Sequence, residues 1–337
     1  MSIIMTGGGT GGHLAIIKAV KEHLKEEELI YVGSTKGQDK QWFEGDSDFS
    51  KTYFLETRGV VNQGLAGKFK SLFKIVTSAF EVRKILKEHK ASVVFSVGGF
   101  SAAPAAIAAK LSGIPLVIHE QNAALGSLNK LLKPYAAQFI SSYMEESPIK
   151  AYPIKQIFFD NARVRDRVKT IIFLGGSQGA KAINALALEI APELKERGIR
   201  IIHQAGQKNI DEVKKAYDDL GIEAEVFGFT TKLADYMNEA DFAIARAGAS
   251  TLWELSATAC PTLYIPYPYA ASDHQYYNAQ FLVKKELAWL MREGNIDVDK
   301  ILAMLDENME TKSKGLMEIV EKEGSKKIAN LLKNTVK

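Results

Sequence analysis

Two stretches of this chain share one plan, and they open its two halves. Ile3 to Thr6 is a short apolar run that leads straight into Gly7-Gly8-Gly9-Thr10-Gly11-Gly12-His13. Lys169 to Leu174 is another, and it leads into Gly175-Gly176-Ser177-Gln178-Gly179-Ala180. A strand buried on both faces reads as a continuous apolar run, and an apolar pattern of helical period follows each glycine-rich loop. Alternating strand and helix patterns continue after both openings, which predicts an α/β fold of two similar doubly wound domains. At 337 residues the chain is long enough for two. Apolar periodicity lapses and charge rises from Tyr152 to Arg167, so the boundaries expected are 1–153 and 154–321. A ligand is then expected in the inter-domain cleft.

Composition removes several classes of function. Hydrophobic content of 46% with 25% charged residues is that of a globular protein with an ample core. A net charge of +3 is too mild to argue for nucleic acid. The one cysteine, Cys260, excludes an intramolecular disulfide and is expected in the core. The N-terminal stretch has no basic region or cleavage site, so no export signal is expected. Ala91 to Ala109 is uncharged and nominally long enough to span a membrane, but Gly98-Gly99 and Pro104 interrupt it. Strand, turn and buried helix explain it better, and no transmembrane segment is expected. No His or Cys pair has zinc spacing. Asp46-Ser47-Asp48 and Asp297-Val298-Asp299 match a metal-nucleotide pattern, yet helix capping accounts for the second and neither is assigned a metal.

The first loop satisfies G-x-G-x-x-G through Gly7, Gly9 and Gly12. Glycines let the backbone approach an anion closely, and the helix start offers N–H donors. The dinucleotide fingerprint also asks for an acidic residue at the end of the second strand. Here Leu29 to Val32 ends in Gly33-Ser34-Thr35, without a carboxylate, which counts against a nicotinamide cofactor. His13 stands at the helix start, where the dipole favours the neutral imidazole. Such a ring can take a proton from an attacking hydroxyl, an effect of roughly 10²–10⁴ in rate. A histidine that merely caps the loop is the plainer alternative. The strand expected over Pro115 to Ile118 ends in His119-Glu120-Gln121-Asn122, four polar residues that are costly to bury unless they serve a site. Gln121 and Asn122 suit sugar hydroxyls, and His119 with Glu120 suits a proton-handling pair.

In the second half, Phe242 to Ala245 reads as a strand, Arg246 to Ala249 as a tight turn, and Ser250 and Thr251 as helix N-caps. Pro261 to Ile265 leads through a Pro- and Tyr-rich loop to His274-Gln275-Tyr276-Tyr277-Asn278. Two strand ends thus bring N–H groups, a carboxylate and a carboxamide to the sheet edge where open α/β sheets bind nucleotides. Glu254 can accept two hydroxyl hydrogen bonds from a ribose, and Phe229-Thr230 can flank a base. Leu65 to Lys90 predicts an amphipathic helix with more apolar surface than one packed face needs, flanked by Lys68, Lys70 and Lys74. That composition fits an anionic membrane surface, or a buried helix with a solvated lysine face.

Taken together, GGGTGGH, GGFSAAP, HEQN, GGSQGA, RAGASTLWE and HQYYNA, in this order, resemble the MurG family over essentially the whole length. The resemblance implies a GT-B fold of two Rossmann-like domains, with the final helix, about 322–337, packed back on the first. It implies transfer of GlcNAc from UDP-GlcNAc to the C4 hydroxyl of MurNAc in lipid I (undecaprenyl-pyrophosphoryl-MurNAc-pentapeptide), with inversion, to give lipid II. Thr10, Gly11 and Gly12 would contact donor and acceptor, and Asn122 the donor sugar. Ser177 would meet the phosphate, Thr230 the uracil region, and Ala249, Ser250, Thr251, Leu252, Trp253 and Glu254 the phosphates and ribose. Gln275 and Asn278 would hold the GlcNAc hydroxyls. The family's Asn-Pro-Val-Arg linker departs here to Asn161-Ala162-Arg163-Val164-Arg165, and Arg163 is favoured over Arg165 as the nucleotide contact. His13 is the leading base and Glu120 the reserve. No cofactor is required, and Mg2+ or Mn2+ stimulation would need no protein site. Partners would be the anionic inner-membrane surface and other cell-wall synthesis proteins, with the enzyme peripheral on the cytoplasmic face. A dehydrogenase, a UDP-GlcNAc 2-epimerase and a non-catalytic sugar-nucleotide subunit are the competing readings.

Overall fold

The computed structural model describes residues 1–57, 65–160, 162–176 and 179–335, the side chains at 65, 66 and 68–70 excepted. Two compact units share the chain, Met1–Pro153 with Glu323–Lys337, and Ile154–Lys322. The first holds β1 (Ser2–Thr6), α1 (Gly11–Lys21), β2 (Glu28–Ser34), α2 (Asp39–Phe43), β3 (Lys51–Leu55) and α3 (Leu65–Glu88). It continues with β4 (Val93–Ser96), α4 (Ala103–Ser112), β5 (Leu116–Glu120), α5 (Ser127–Leu132) and β6 (Gln138–Ser141). The second holds α6 (Ile157–Asp160), β7 (Thr170–Leu174), α7 (Lys181–Glu196), β8 (Arg200–Gln204), α8 (Ile210–Asp219), β9 (Ala224–Phe227) and α9 (Leu233–Glu239). After these come β10 (Phe242–Ala245), α10 (Ala249–Ala257), β11 (Thr262–Tyr264), α11 (His274–Val283), β12 (Trp289–Leu290), α12 (Val298–Met304) and α13 (Glu310–Ile319). The last helix, α14 (Gly324–Asn334), returns to the first unit.

Each unit is built on a parallel six-stranded sheet, ordered β3-β2-β1-β4-β5-β6 in the first and β12-β11-β10-β7-β8-β9 in the second. Strand order reverses between β1 and β4, and again between β7 and β10. At such a reversal the loops leave to opposite faces of the sheet and open a crevice at the strands' C-terminal ends. Both glycine-rich loops stand there, because each follows the central strand β1 or β7. The central runs are buried on both faces, as in Ile3, Ile4 and Met5 or Ile171, Ile172 and Phe173.

The core of the first unit sets Ile4, Ile30, Val94 and Ile118 against Val82 and Leu86 of α3 and the alanines of α4. In the second, Ile171, Phe173, Ile201, Ile244 and Leu263 pack with Ile183, Leu186 and Ile190 of α7. Helix α3 carries two apolar stripes. Ile75, Ala79, Val82 and Leu86 face inward, while Leu72, Phe73, Val76 and Phe80 stay exposed, Phe73 at 71%. Helix α14 packs on α1 and buries Ile328, Ala329 and Leu332. No helix of the described residues is long and apolar enough to cross a membrane. Cys260 is buried.

The two Asp-x-Asp segments have structural partners. Lys21, nearly buried, reaches Asp46 at 2.6 and 2.7 Å and Asp48 at 2.6 Å. Asp297 caps α12 by accepting from Lys300 N at 3.1 Å. Three strands escape the apolar-run criterion, β3, β6 and β12, and all lie at sheet edges with half-exposed residues. The segment read as a linker also contains α6, whose Phe158 and Phe159 are buried.

Candidate active site

In the first unit the loop after β1 interleaves with the loop after β4. Gly8 N donates to Gly98 O at 3.3 Å, and a Cβ on Gly99 would lie 2.4 Å from Gly8 O. Only glycine fits at Gly99, whose φ is also +80°. The loop ends at Thr10, and His13 sits in the first turn of α1. Thr10 Oγ1 is 2.9 Å from His13 Nδ1, so this hydroxyl serves the imidazole instead of capping the helix. Gln121 Nε2 lies 3.0 Å from His13 Nε2. The loop after β5 therefore brings a carboxamide onto the ring that the loop after β1 presents.

In the second unit β10 ends at Ala245, and the chain turns through Arg246-Ala247-Gly248 into α10. The helix ladder begins with Leu252 N donating to Gly248 O at 2.9 Å, so Ala249, Ser250 and Thr251 form the turn ahead of it. Helix starts of this kind carry N–H groups and partial positive charge suited to phosphates. Glu254 follows, half-buried, its carboxyl pushed up to about 7 by loss of water, with Lys155 pulling the other way. Leu252 and Trp253 are buried, and Trp253 stands 5.9 Å from Phe281 of α11. Gln275 lies in the first turn of α11, and its Oε1 accepts from Tyr267 N at 2.9 Å, which leaves the amide nitrogen as the donating end. Ser272 and Asp273, both left-handed at φ 53° and 52°, aim that helix start. Two consecutive non-glycine residues there cost about 1–3 kcal/mol each, a strain typical of ligand sites. Arg292 grips Asp273 with two bonds of 2.9 and 2.6 Å and lies on the Tyr276 ring. Thr230 lies between β9 and α9, its hydroxyl accepting from Lys232 N at 3.0 Å beside the exposed Phe229.

Several expectations need correction. The N-cap of α10 is Gly248, and Ser250 and Thr251 belong to the first turn. Strand β5 runs two residues further than expected, so His119 and Glu120 are strand residues on opposite faces of the sheet. Glu120 is buried, and its oxygens accept from Asn122 N, Gly126 N and Asn129 Nδ2, each at 2.9 Å. A carboxylate held by three donors shapes the Asn122 loop and is unsuited to a base. His119 is fully buried with its ring edge on Tyr152, and burial, then His13, pushes it down to about 3. The two do not form a proton-handling pair.

Arg163 lies at the end of the sheet opposite the α10 turn, away from the place expected of a nucleotide contact. Its guanidinium binds Asn238 O, Glu239 O and Asp241 Oδ1, before β10 begins, whereas the α10 turn follows where β10 ends. Arg165 is buried nearby, and its donors go to the carbonyls of Arg163, Met237, Asn238, Ala240 and Thr258. A guanidinium has five N–H groups, and these five carbonyls match them. Asn278, expected on a sugar, is buried and donates to Ala247 O at 3.1 Å, which braces the β10 turn. Ser177 lies outside the described residues.

Two residues with no expected role emerge. Arg246 reaches Ile265 O and Pro266 O at 3.0 and 3.2 Å and pairs with Glu293 at 2.6 Å, which puts a cation beside the α10 turn. Its place directly after a buried strand was the available signal. Asp39, at the start of α2, supplies the carboxylate missing after β2, but turns it onto the protein. It accepts from Gly9 N at 2.7 Å, Ser34 N at 3.0 Å and the Tyr31 hydroxyl at 3.0 Å. A ribose cannot reach it. Among the described residues no group of three His, Cys, Asp or Glu side chains is arranged to hold a metal.

Comparison with known proteins matches both halves of the chain to one family. Residues 3–141 match the glycosyltransferase family 28 N-terminal domain and residues 170–333 its C-terminal domain. The UDP-N-acetylglucosamine–N-acetylmuramyl-(pentapeptide) pyrophosphoryl-undecaprenol N-acetylglucosamine transferase of Sulfurovum sp. (strain NBC37-1) is 77% identical over 100% of both chains. The enzyme of the same name from Sulfurimonas denitrificans is 53% identical over 97% of each. The crystal structure of Acinetobacter baumannii MurG superposes with a TM-score of 0.78 at 26% identity, covering 99% of both chains.

Proposed function

This chain belongs to glycosyltransferase family 28, and on that premise we propose how its residues carry out the transfer. The enzyme moves GlcNAc from UDP-GlcNAc to undecaprenyl-pyrophosphoryl-MurNAc-pentapeptide, forming lipid II. The observation that carries this is the full-length likeness to transferases of that name, met in the second unit by a helix start with a carboxylate one turn beyond it.

The second unit takes the donor. The first turn of α10 and Arg246 offset the charge that gathers on the departing diphosphate, an electrostatic contribution that usually dominates such catalysis. Glu254 accepts from the ribose hydroxyls, Thr230 flanks the uracil, and the Gln275 amide donates to the GlcNAc. The first unit takes the acceptor. His13 removes the proton of the MurNAc C4 hydroxyl as its oxygen attacks the anomeric carbon and the bond to UDP breaks, so configuration inverts in one displacement. No side-chain nucleophile and no cofactor enters, and any divalent ion acts on the diphosphate itself. The exposed stripe of α3 with Lys74, Arg83 and Lys84 rests on the anionic inner leaflet, where the acceptor lies.

The test is turnover with UDP-GlcNAc and lipid I, each also supplied alone. Lipid II should form only with both, Glu254→Ala should raise donor KM at least tenfold, and His13→Ala should chiefly lower kcat. Epimerised UDP-sugar from UDP-GlcNAc alone would favour the epimerase reading. Calorimetry that detects no uptake of UDP would overturn the donor site.

A further inference from the structure

The loop after β11 is fastened at both ends by the two residues that follow the edge strand β12. At its start, Arg246 donates to Ile265 O and Pro266 O and pairs with Glu293 at 2.6 Å. At its end, Arg292 meets Asp273 in a two-pronged bond, Nη1 to Oδ1 at 2.9 Å and Nη2 to Oδ2 at 2.6 Å. The same guanidinium lies over the Tyr276 ring, 3.9 Å from its centre. Asp273 and Tyr276 flank Gln275 in the chain at the start of α11, so one side chain holds the residues on both sides of that amide.

This hold has something to oppose. Ser272 and Asp273 are both left-handed, at φ 53° and 52°, a region that a residue with a Cβ avoids unless its surroundings impose it. The direction in which α11 sets out follows from those two residues, and the placing of Gln275 follows from that direction. An exposed ion pair alone contributes little, but a planar fork that also stacks on a ring fixes orientation as well as supplying attraction.

We propose that Arg292 is a positioning residue for the sugar half of the donor, acting through Asp273 and Tyr276 to hold the Gln275 amide where the GlcNAc meets it. This rests on the reading of Gln275 as a donor to GlcNAc. Gln275 Oε1 accepts from Tyr267 N at 2.9 Å, which sets the roll of the carboxamide, and the clamp sets the helix start that carries it. The diphosphate end is held by other means. The first turn of α10 opens at Gly248, and Arg246 has its own partners in Ile265, Pro266 and Glu293. Loosening Arg292 therefore weakens the grip on the sugar and spares the grip on UDP.

Arg292→Met and Asp273→Asn in the full chain, singly and together, test the assignment. The readouts are KM for UDP-GlcNAc and the inhibition constant of UDP, which lacks the sugar. Methionine removes the fork, and asparagine removes the charge in a residue at ease in the left-handed region, so a loss there belongs to the bond and not to the backbone. Each single variant should raise donor KM about tenfold with kcat little changed and the UDP constant within about twofold. The melting temperature should stay within about 2 °C, since an exposed pair carries little of the stability. The double variant should lose no more than either single, because all three lose the same contact. A wild-type donor KM in either single variant, equal losses for UDP and UDP-GlcNAc, or effects that multiply to about a hundredfold in the double would each overturn the clamp, provided Gln275→Ala raises donor KM. An unchanged donor KM in Gln275→Ala would overturn the sugar contact and the clamp with it.

Discussion

Glu254 is the residue whose chemistry depends most on its setting, since loss of water raises its carboxyl to about 7. Ribose hydroxyls donate best to the ionised form, so on the proposed donor site binding should expel the carboxyl proton. UDP-GlcNAc has no proton of its own to lose in this range. Its affinity should therefore rise from about pH 6 to about pH 7.5 and then level, with most of one proton released at the lower end. Calorimetry in two buffers of different ionisation heat measures the release directly. Buffer-independent heats at the lower pH would refute it, and Glu254→Gln should abolish both the release and the slope. The same shift has the opposite sign for folding without ligand. A raised carboxyl stabilises the fold below its unfolded pKa of about 4.3, and that contribution fades as pH rises through about 7. The place of Glu254 was legible in sequence, because the strand, turn and helix start ahead of it read directly from the apolar run and the residues that follow. The two arginines of the linker were not. Arg163 and Arg165 alternate along one short segment, and only the fold shows that both end on backbone carbonyls and Asp241, at the far end of β10.

At the scale of elements, α3 shows what periodicity can reveal. Its inward stripe satisfies the core, and Leu72, Phe73, Val76 and Phe80 form a second stripe that is exposed among the described residues. Leu72→Ser with Phe73→Ser should weaken binding to vesicles of anionic phospholipid about tenfold or more, since each large apolar side chain is worth about 1.5–3 kcal/mol when fully buried. UDP-GlcNAc affinity should not change. Vesicle binding equal to that of the wild type would remove the membrane-docking role. Central strands were equally legible, because burial on both faces leaves a continuous apolar run such as Ile171 to Leu174. Edge strands were hidden by the converse, as in β3 and β12, where half the surface meets water and no run survives. A strand end can mislead in a more costly way. Two extra residues in β5 moved His119 and Glu120 from a loop into the sheet, which sent one side chain to each face and dissolved the proposed pair.

For the whole molecule, the decisive feature is that each unit carries its own sheet and its own core, so damage to one should leave the other's ligand binding intact. Helix α14 gives a way to test this, because it lies at the end of the chain yet packs on α1 near its beginning. Its apolar side chains Ile328, Ala329 and Leu332 are fully buried there, and Gly324 is pressed so closely on Tyr152 that a Cβ would lie 2.3 Å from the carbonyl oxygen. Leu332→Ala should cost the first unit about 2–5 kcal/mol, the usual range for such a truncation in a core. Hydrogen exchange followed by mass spectrometry should then show faster exchange across β1, β2, β4 and β5. Protection of β7, β8 and β10 should stay at the wild-type level and still rise on addition of UDP-GlcNAc, since a ligand stabilises only the form that binds it. Equal loss of protection in both sheets would mean that the two cores fold as one cooperative body, and the assignment of donor binding to a self-sufficient second unit would fail.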